Sequence, residues 1–392
     1  MKRQVYLDNS ATTEISEEAL NKYVEVSRSV WGNPSSLHSF GLSAEREINA
    51  ARDILLSTLV ASSDAEVIFT SSGSEANNLA ILGRAMAKDR YRRGAKIITT
   101  LGEHASVTEP IKRAEALGLK VAKIPTKDGK LDTGALLSEL TGDVVLVSIM
   151  MVNNETGALY DVGEVAKMMR ARCPEAYLHV DATQSYMKVA FTKKSIGADM
   201  ITLSSHKIAG PKGVGALVID KRIIKEKGLS PIILGGGQEM GLRSGTENVP
   251  GIAAFGEAAR LAHASRCENI EKMETLRSYL ISRLTEDSAF SDISITNPAS
   301  HAPHILNITL PAIKSETMLH YLSAEGVFVS SGSACSSNSR EVSSALVAYG
   351  RSEAEADSSI RISFSPKSTR EDVDEFLSAL ASGLSRLARI RR

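Results

Sequence analysis

The sequence predicts an α/β protein: a large domain with a mostly parallel sheet flanked by helices, plus a smaller α+β domain. Three observations carry this. Short β-rich runs alternate with longer amphipathic stretches through most of the chain, the pattern of strand–helix–strand units. Several runs are apolar on both faces, as strands covered by helices on each side must be. Beyond Pro250 the alternation gives way to long helical periodicity, then short strands, then a last helix.

In chain order, strands are expected at 66–70 (EVIFT), 96–100 (KIITT), 144–150 (VVLVSIM), 177–181 (YLHVD), 200–203 (MITL) and 215–219 (GALVI). Helical periodicity fills 74–88, 107–117, 131–140 and 162–171 between them. Residues 251–284 read as one long helix, broken or continuous. Two or three strands follow at 293–296, 304–310 and 327–329, then a Ser/Gly-rich loop, a helix, a strand at 359–364 and a C-terminal helix from Arg370. The strand-like start at 4–7 is expected to return to this second part. At roughly 100–200 residues per domain, 392 residues fit two domains or three. The expected division is 15–255 for the large domain and 1–14 with 256–392 for the small one.

Composition narrows the function. Lys+Arg is 46 and Asp+Glu is 46, so the formal net charge is zero. No electrostatic argument favours nucleic acid or an anionic membrane as partner. The longest apolar stretch, 144–152, is interrupted by Ser148 and is about half the roughly 18 residues a span needs. The start, MKRQVYLDNSATT, lacks the apolar core of a signal peptide, so the expected location is the cytoplasm. Cys173, Cys267 and Cys335 are too few and too scattered for a disulfide framework, and no CxxC or Cys/His spacing suggests zinc. An odd count in a reducing compartment leaves free thiols.

Five places after predicted strands carry chemistry. Lys207 lies in SSHKIAGPKGVG, at a strand end beside hydroxyls and an imidazole. It is either an amine for a Schiff base with a carbonyl cofactor or one of many surface lysines. Asp181 ends YLHVD. It suits a pyridinium nitrogen at the carboxyl edge of a sheet, or it caps the following turn. Gly73 and Ser74 sit in TSSGSEAN, a small polar turn opening a helix, where backbone N–H groups bind phosphate well. His104 follows the 96–100 strand and is either a ring-stacking residue or an ordinary loop histidine. Asn154 adds a polar group after 144–150. Together they are the arrangement needed to hold pyridoxal phosphate in one α/β domain.

Longer motifs extend this. YLDNSATT at 6–13, GNPSSLHSFG at 32–41, FTSSGSEANN at 69–78, NNETG at 153–157, HVDATQS at 179–185, SSHKIAGPKGVG at 204–215, GGGQEMGLRSGTEN at 235–248 and SSGSACSS at 330–337 run nearly end to end. On these the chain resembles the cysteine desulfurases, pyridoxal-phosphate enzymes of the class V aminotransferase type with the type I fold.

The resemblance implies roles at matching positions. Lys207 would form the Schiff base, Asp181 would pair with the pyridine nitrogen, and His104 would stack on the ring and assist catalysis. Gln184 would bond the phenolic oxygen. Gly73, Ser74, Ser204 and His206 would hold the phosphate. Thr246 would reach the phosphate of a neighbouring subunit, which implies a homodimer. Asn154 would contact the cofactor and, with Arg361, the substrate carboxylate, a pairing that suits the planar guanidinium. The small residues around Cys335 predict an exposed, mobile loop rather than core. The resemblance makes Cys335 the nucleophile, with Cys173 and Cys267 left as inert thiols.

The activity implied is removal of sulfur from L-cysteine. Lys207 removes the Cα proton, the Cys335 thiolate attacks the substrate sulfur, and alanine leaves. The persulfide would pass to an iron–sulfur scaffold or another acceptor protein. A selenocysteine lyase, another class V enzyme and a non-catalytic assembly scaffold are the competing readings. Three departures from the usual pattern stand out: Arg340-Glu341-Val342-Ser343 lacks a proline, Ser365-Pro366-Lys367 follows Ile362-Ser363-Phe364, and Met240 stands where arginine is common. They touch loop geometry, dimer contacts and acceptor choice, and leave the cofactor residues intact.

Overall fold

The computed structural model describes residues 3–61, 63–88, 95–311, 313–331 and 342–390. In the first part of the chain, strands occupy Val5–Tyr6 (β1), Ala65–Thr70 (β2), Lys96–Thr100 (β3), Lys120–Ile124 (β4), Thr126–Lys127 (β5), Lys130–Leu131 (β6), Val144–Met150 (β7), Tyr177–Asp181 (β8), Met200–Ser204 (β9) and Gly215–Asp220 (β10). In the second part they occupy Ser294–Thr296 (β11), Ile305–Thr309 (β12), Val327–Phe328 (β13), Ser330–Ser331 (β14) and Ser359–Ser363 (β15).

Seven strands form one sheet in the order β2-β10-β9-β8-β7-β3-β4. The pairs β3/β4, β3/β7, β7/β8 and β8/β9 are parallel. Only β10 runs against its neighbours, β2 and β9. Side-chain alternation fills a core on each face. From β10, Ala216 and Val218 enter one apolar cluster, and Leu217 and Ile219 enter the other. Helices Ser39–Thr58, Val162–Arg172 and Val249–Ala264 cover the first face through Ile48, Leu55, Met169, Ile252 and Phe255. Helices Gly73–Ala85 and Ala105–Ala116 cover the second through Leu79, Ala80, Val107 and Ile111. Burial on both faces is what the apolar run of β7, broken only by the buried Ser148, expresses.

The second part is an antiparallel sheet, β11-β12-β15-β14. Its own core joins Met273, Leu280, Ile308, Ile360, Phe364, Phe376 and Leu380, and takes in Val5 and Leu7 from the start of the chain. There β1 pairs in parallel with β13, Val5 opposite Val327.

Several elements, among them β5, β6 and the helix Ser315–Ala324, are not expected from the sequence. β4 (KVAKI) is an edge strand whose lysines keep it half-exposed, the device that protects sheet edges and hides strand character. Helix Glu17–Ser29 buries only Ala19 and Val26, so its apolar stripe is thin. Helix Ser39–Thr58 opens on His38, whose ring accepts from Gly41 N–H, although histidine is not among the usual cap residues. The stretch at 251–284 takes its broken alternative: two helices, Val249–Ala264 and Arg266–Glu286, separated at Ser265. No helix among the described residues is long and apolar enough to cross a membrane.

Candidate active site

The carboxyl ends of β2, β3, β7, β8 and β9 lie along one edge of the large sheet, and β10 begins there with Gly215 opposite Thr70 and Ser204. Strand order changes direction at β3: β4 lies on one side, and β7, β8 and β9 follow on the other. Such a switch point is where open α/β sheets bind ligands.

The turn after β2 starts helix Gly73–Ala85, with the Ser72 hydroxyl accepting from Glu75 N–H at 3.1 Å. A Cβ on Gly73 would lie 3.2 Å from Thr183 Oγ1 and 3.3 Å from the Ser204 Cβ. The helix N-terminus therefore backs directly against the ends of β8 and β9, with Ser74 on its exposed side. This is a cradle of backbone N–H groups that only glycine leaves open.

Asp181 and His104 are linked through two residues that the sequence reading passed over. Asp181 Oδ1 accepts from Thr183 N–H at 2.9 Å, and Oδ2 accepts from Asn77 Nδ2 at 2.8 Å. The aspartate thus caps the turn, as one sequence expectation has it, and its side chain is buried. Asn77 also donates to Ser106 Oγ at 2.9 Å. Ser106 Oγ lies 2.8 Å from His104 Nδ1, and Ser106 N–H donates to that nitrogen at 3.1 Å. A backbone donor aimed at Nδ1 assigns the ring proton to Nε2. Burial pushes the His104 pKa below its ordinary value; Asp181 opposes this, and Lys207 and Arg361 reinforce it. The ring is neutral at pH 7.

β9 runs into a short turn, Ser205–Lys207. Lys207 Nζ donates to the carbonyls of Ser10 (2.5 Å) and Ala11 (2.8 Å). Gln184 Nε2 donates to the same Ser10 carbonyl at 2.9 Å, while its Oε1 faces His304 Nε2 at 3.4 Å. His206 Nδ1 meets Thr12 Oγ1 at 3.1 Å, and its carbonyl accepts from Thr13 N–H at 3.0 Å. Burial, with Lys207, Lys212 and Lys188 nearby, pushes the His206 pKa down to about 4. Residues 8–13 therefore form the floor beneath the lysine. The motif DNSATT is visible in sequence, but nothing in its composition says what it packs against.

Arg361, on β15, reaches the same place from the second sheet. Its Nη2 donates to Asp8 Oδ1 at 2.8 Å and its Nη1 to the Asn154 carbonyl at 2.9 Å. Its Nε has no partner among the described residues, and the side chain is buried. Thr246 stands apart. It is exposed beside a small hollow shared with Ser71, Gly213 and Arg243. Cys335 and Arg340-Glu341 lie outside the described residues.

Residues 5–376 match the model of the family described as Aminotransferase class-V.

The chain belongs to this family.

It is 38% identical over 392 residues to the cysteine desulfurase IscS of Dictyoglomus turgidum, covering 100% of this chain and 97% of that one. Among solved structures it is similar to a NifS-like protein (TM-score 0.89, 34% identity, 98% and 100% of the two chains). It is also similar to SspA in complex with cysteine (TM-score 0.79, 30% identity, 93% and 100%). Membership implies use of pyridoxal phosphate, and the residues present fit that group. The Gly73 cradle suits a phosphate, the buried Asp181 carboxylate suits a pyridinium, and a neutral His104 ring suits a face-on contact.

Proposed function

We propose that this chain is a pyridoxal-phosphate-dependent cysteine desulfurase. It takes sulfur from L-cysteine, leaves L-alanine, and carries the sulfur as a persulfide on Cys335 toward iron–sulfur assembly or another transfer. The observation that carries the reading is the convergence of Lys207, Asp181 and His104 at the switch point of a class V chain. Residues 15–255 form the cofactor domain in this reading, and 1–14 with 256–392 form the smaller domain that bears the cysteine. The cytoplasm supplies the reducing conditions that keep the thiol free.

Bound in the cleft, pyridoxal phosphate supplies an electron sink for negative charge at the substrate Cα. Lys207 provides the amine that holds the group and then takes the Cα proton at Nζ. The Ser10 and Ala11 carbonyls fix where that nitrogen sits. Asp181 keeps a positive pyridine nitrogen paired, and Asn77 and Thr183 N–H keep Asp181 in place. Arg361 Nε is the donor left open for the substrate carboxylate, beside Asn154. The Cys335 thiolate then forms an S–S bond to the substrate sulfur as the C–S bond breaks, and the carbon skeleton leaves as alanine.

With L-cysteine and a thiol reductant, the wild-type protein is expected to release alanine and sulfide in equal amounts. Cys335→Ser should keep the absorbance of the lysine-bound cofactor, carry no persulfide by mass spectrometry and release almost no alanine. Undiminished alanine from that variant would remove Cys335 from the mechanism.

The active form in this reading is a homodimer. Trp31 (69% exposed), Leu37 (95%), Phe40 and Leu234 present apolar surface to solvent, which a second copy would cover. Thr246 would then contact the phosphate in the partner's cradle. Thr246→Ala is expected to leave the dimer mass unchanged by light scattering and to raise the cofactor dissociation constant about tenfold, the value of one charge-assisted hydrogen bond. A monomeric mass for the wild type would sink this arrangement.

A further inference from the structure

β3 and β7 pair in parallel only as far as Ile98 and Val147. Beyond that point β3 continues beside β4 to Thr100, and β7 continues beside β8 to Met150. The seam between them opens at the candidate site. A continued ladder would give Met150 N–H a carbonyl acceptor. Glu103 supplies one instead: Met150 N–H lies 3.0 Å from each carboxyl oxygen, and the Thr100 hydroxyl donates to Oε1 at 2.6 Å. One side chain ties both open strand ends together. It is 4% exposed, and its backbone leads directly into His104.

The surroundings decide its charge. Burial pushes the Glu103 pKa up to about 8; the Thr100 hydroxyl and Met150 N–H oppose the rise, and the Asp181 charge adds to it. Other titratable groups nearby are Tyr160 beyond β7, and Glu109, Lys112, Lys123 and Glu155, which share a hollow of about 350 Å³ with Glu103 and His104. At pH 7 Glu103 is therefore a neutral acid. Protonated on its other oxygen, it keeps both contacts through Oε1, which accepts from Met150 N–H and from the Thr100 hydroxyl. Ionised, it sets a second buried negative charge near Asp181 and raises the proton affinity of the adjacent His104 ring.

We propose that Glu103 is a positioning residue for the cofactor pocket: as a buried neutral acid it bridges the open β3–β7 seam and fixes the backbone that presents His104. This rests on the cofactor reading above. Glu103→Gln keeps groups for both contacts and cannot ionise, so it isolates the protonation state from the shape. The probe is pyridoxal phosphate titrated into cofactor-free protein, followed by absorbance from about pH 6.5 to about pH 9.5. The ratio of wild-type to Glu103→Gln dissociation constants is expected to rise about tenfold between about pH 7 and about pH 9, the change that ionisation near 8 gives.

A second readout needs no cofactor. A folded pKa raised above the unfolded value gives stability that is complete below about pH 4.5 and lost as pH rises through about 8. The melting temperature of the wild type should therefore fall relative to Glu103→Gln across that window. A flat ratio of dissociation constants overturns the positioning role alone. Wild-type protein that binds no pyridoxal phosphate at any pH overturns the cofactor reading, and the positioning role with it.

Discussion

Lys207→Ala is expected to lower turnover of L-cysteine by about four orders of magnitude, because in the proposed mechanism one substitution removes both the nucleophile and the base. Geometry sharpens the expectation. The amine is held by two main-chain carbonyls, those of Ser10 and Ala11, on a segment that also takes Gln184 and His206. Truncation leaves those carbonyls without their shared donor, so cofactor retention should weaken as well. A small exogenous amine should restore part of the proton transfer, because the cavity left by the side chain can admit it. Lys207→Arg should give no comparable rescue, since a guanidinium keeps its proton. Single-turnover measurement of alanine decides the matter. A loss smaller than about tenfold would show that another group carries the proton.

Asp181→Asn should cost about two to three orders of magnitude in kcat/KM, the scale of losing a preorganised charge at the reacting centre. Both carboxylate oxygens accept from donors, Thr183 N–H on one side and Asn77 Nδ2 on the other. An amide cannot accept on both sides. Its NH₂ meets a donor, and the Asp181–Asn77–Ser106–His104 chain must rearrange at one link. The substitution therefore removes the charge and disturbs the His104 ring together. Asn77→Ala separates the two effects: it keeps the charge and loses the link, and should fall well short of the Asp181→Asn loss. Equal losses in the two variants would assign the whole effect to positioning.

Sequence patterning shows the central strands well because they are buried on both faces, so apolar residues fill most positions on both sides. β7 and β8 are the clearest cases. It shows β4 poorly because an edge strand is selected to look polar. The helix at 39–58 is hidden by its histidine cap. In the site, Lys207, Asp181, Gly73 and His104 follow strands, so topology alone gathers them at one edge. Asp8, Ser10 and Thr12 come from a segment with no periodicity. Their positions depend on long-range pairing, which local pattern does not encode. Glu103 is hidden for another reason: a glutamate in a loop normally faces solvent, and only the open seam between β3 and β7 creates a buried place for it.

The opening segment has a consequence for synthesis. Asn9 Nδ2 donates to the carbonyl of Ser363, 354 residues away in the chain, and β1 waits for β13. The large sheet can assemble while the ribosome is still adding the last strands. The floor beneath Lys207 cannot, because its far end is anchored on Ser363, made long after the large sheet. Contacts of such sequence separation are slow to form. The nascent protein thus passes through a stage with a folded sheet and an unfinished pocket. Cofactor capture then waits until β15 has been made and has paired.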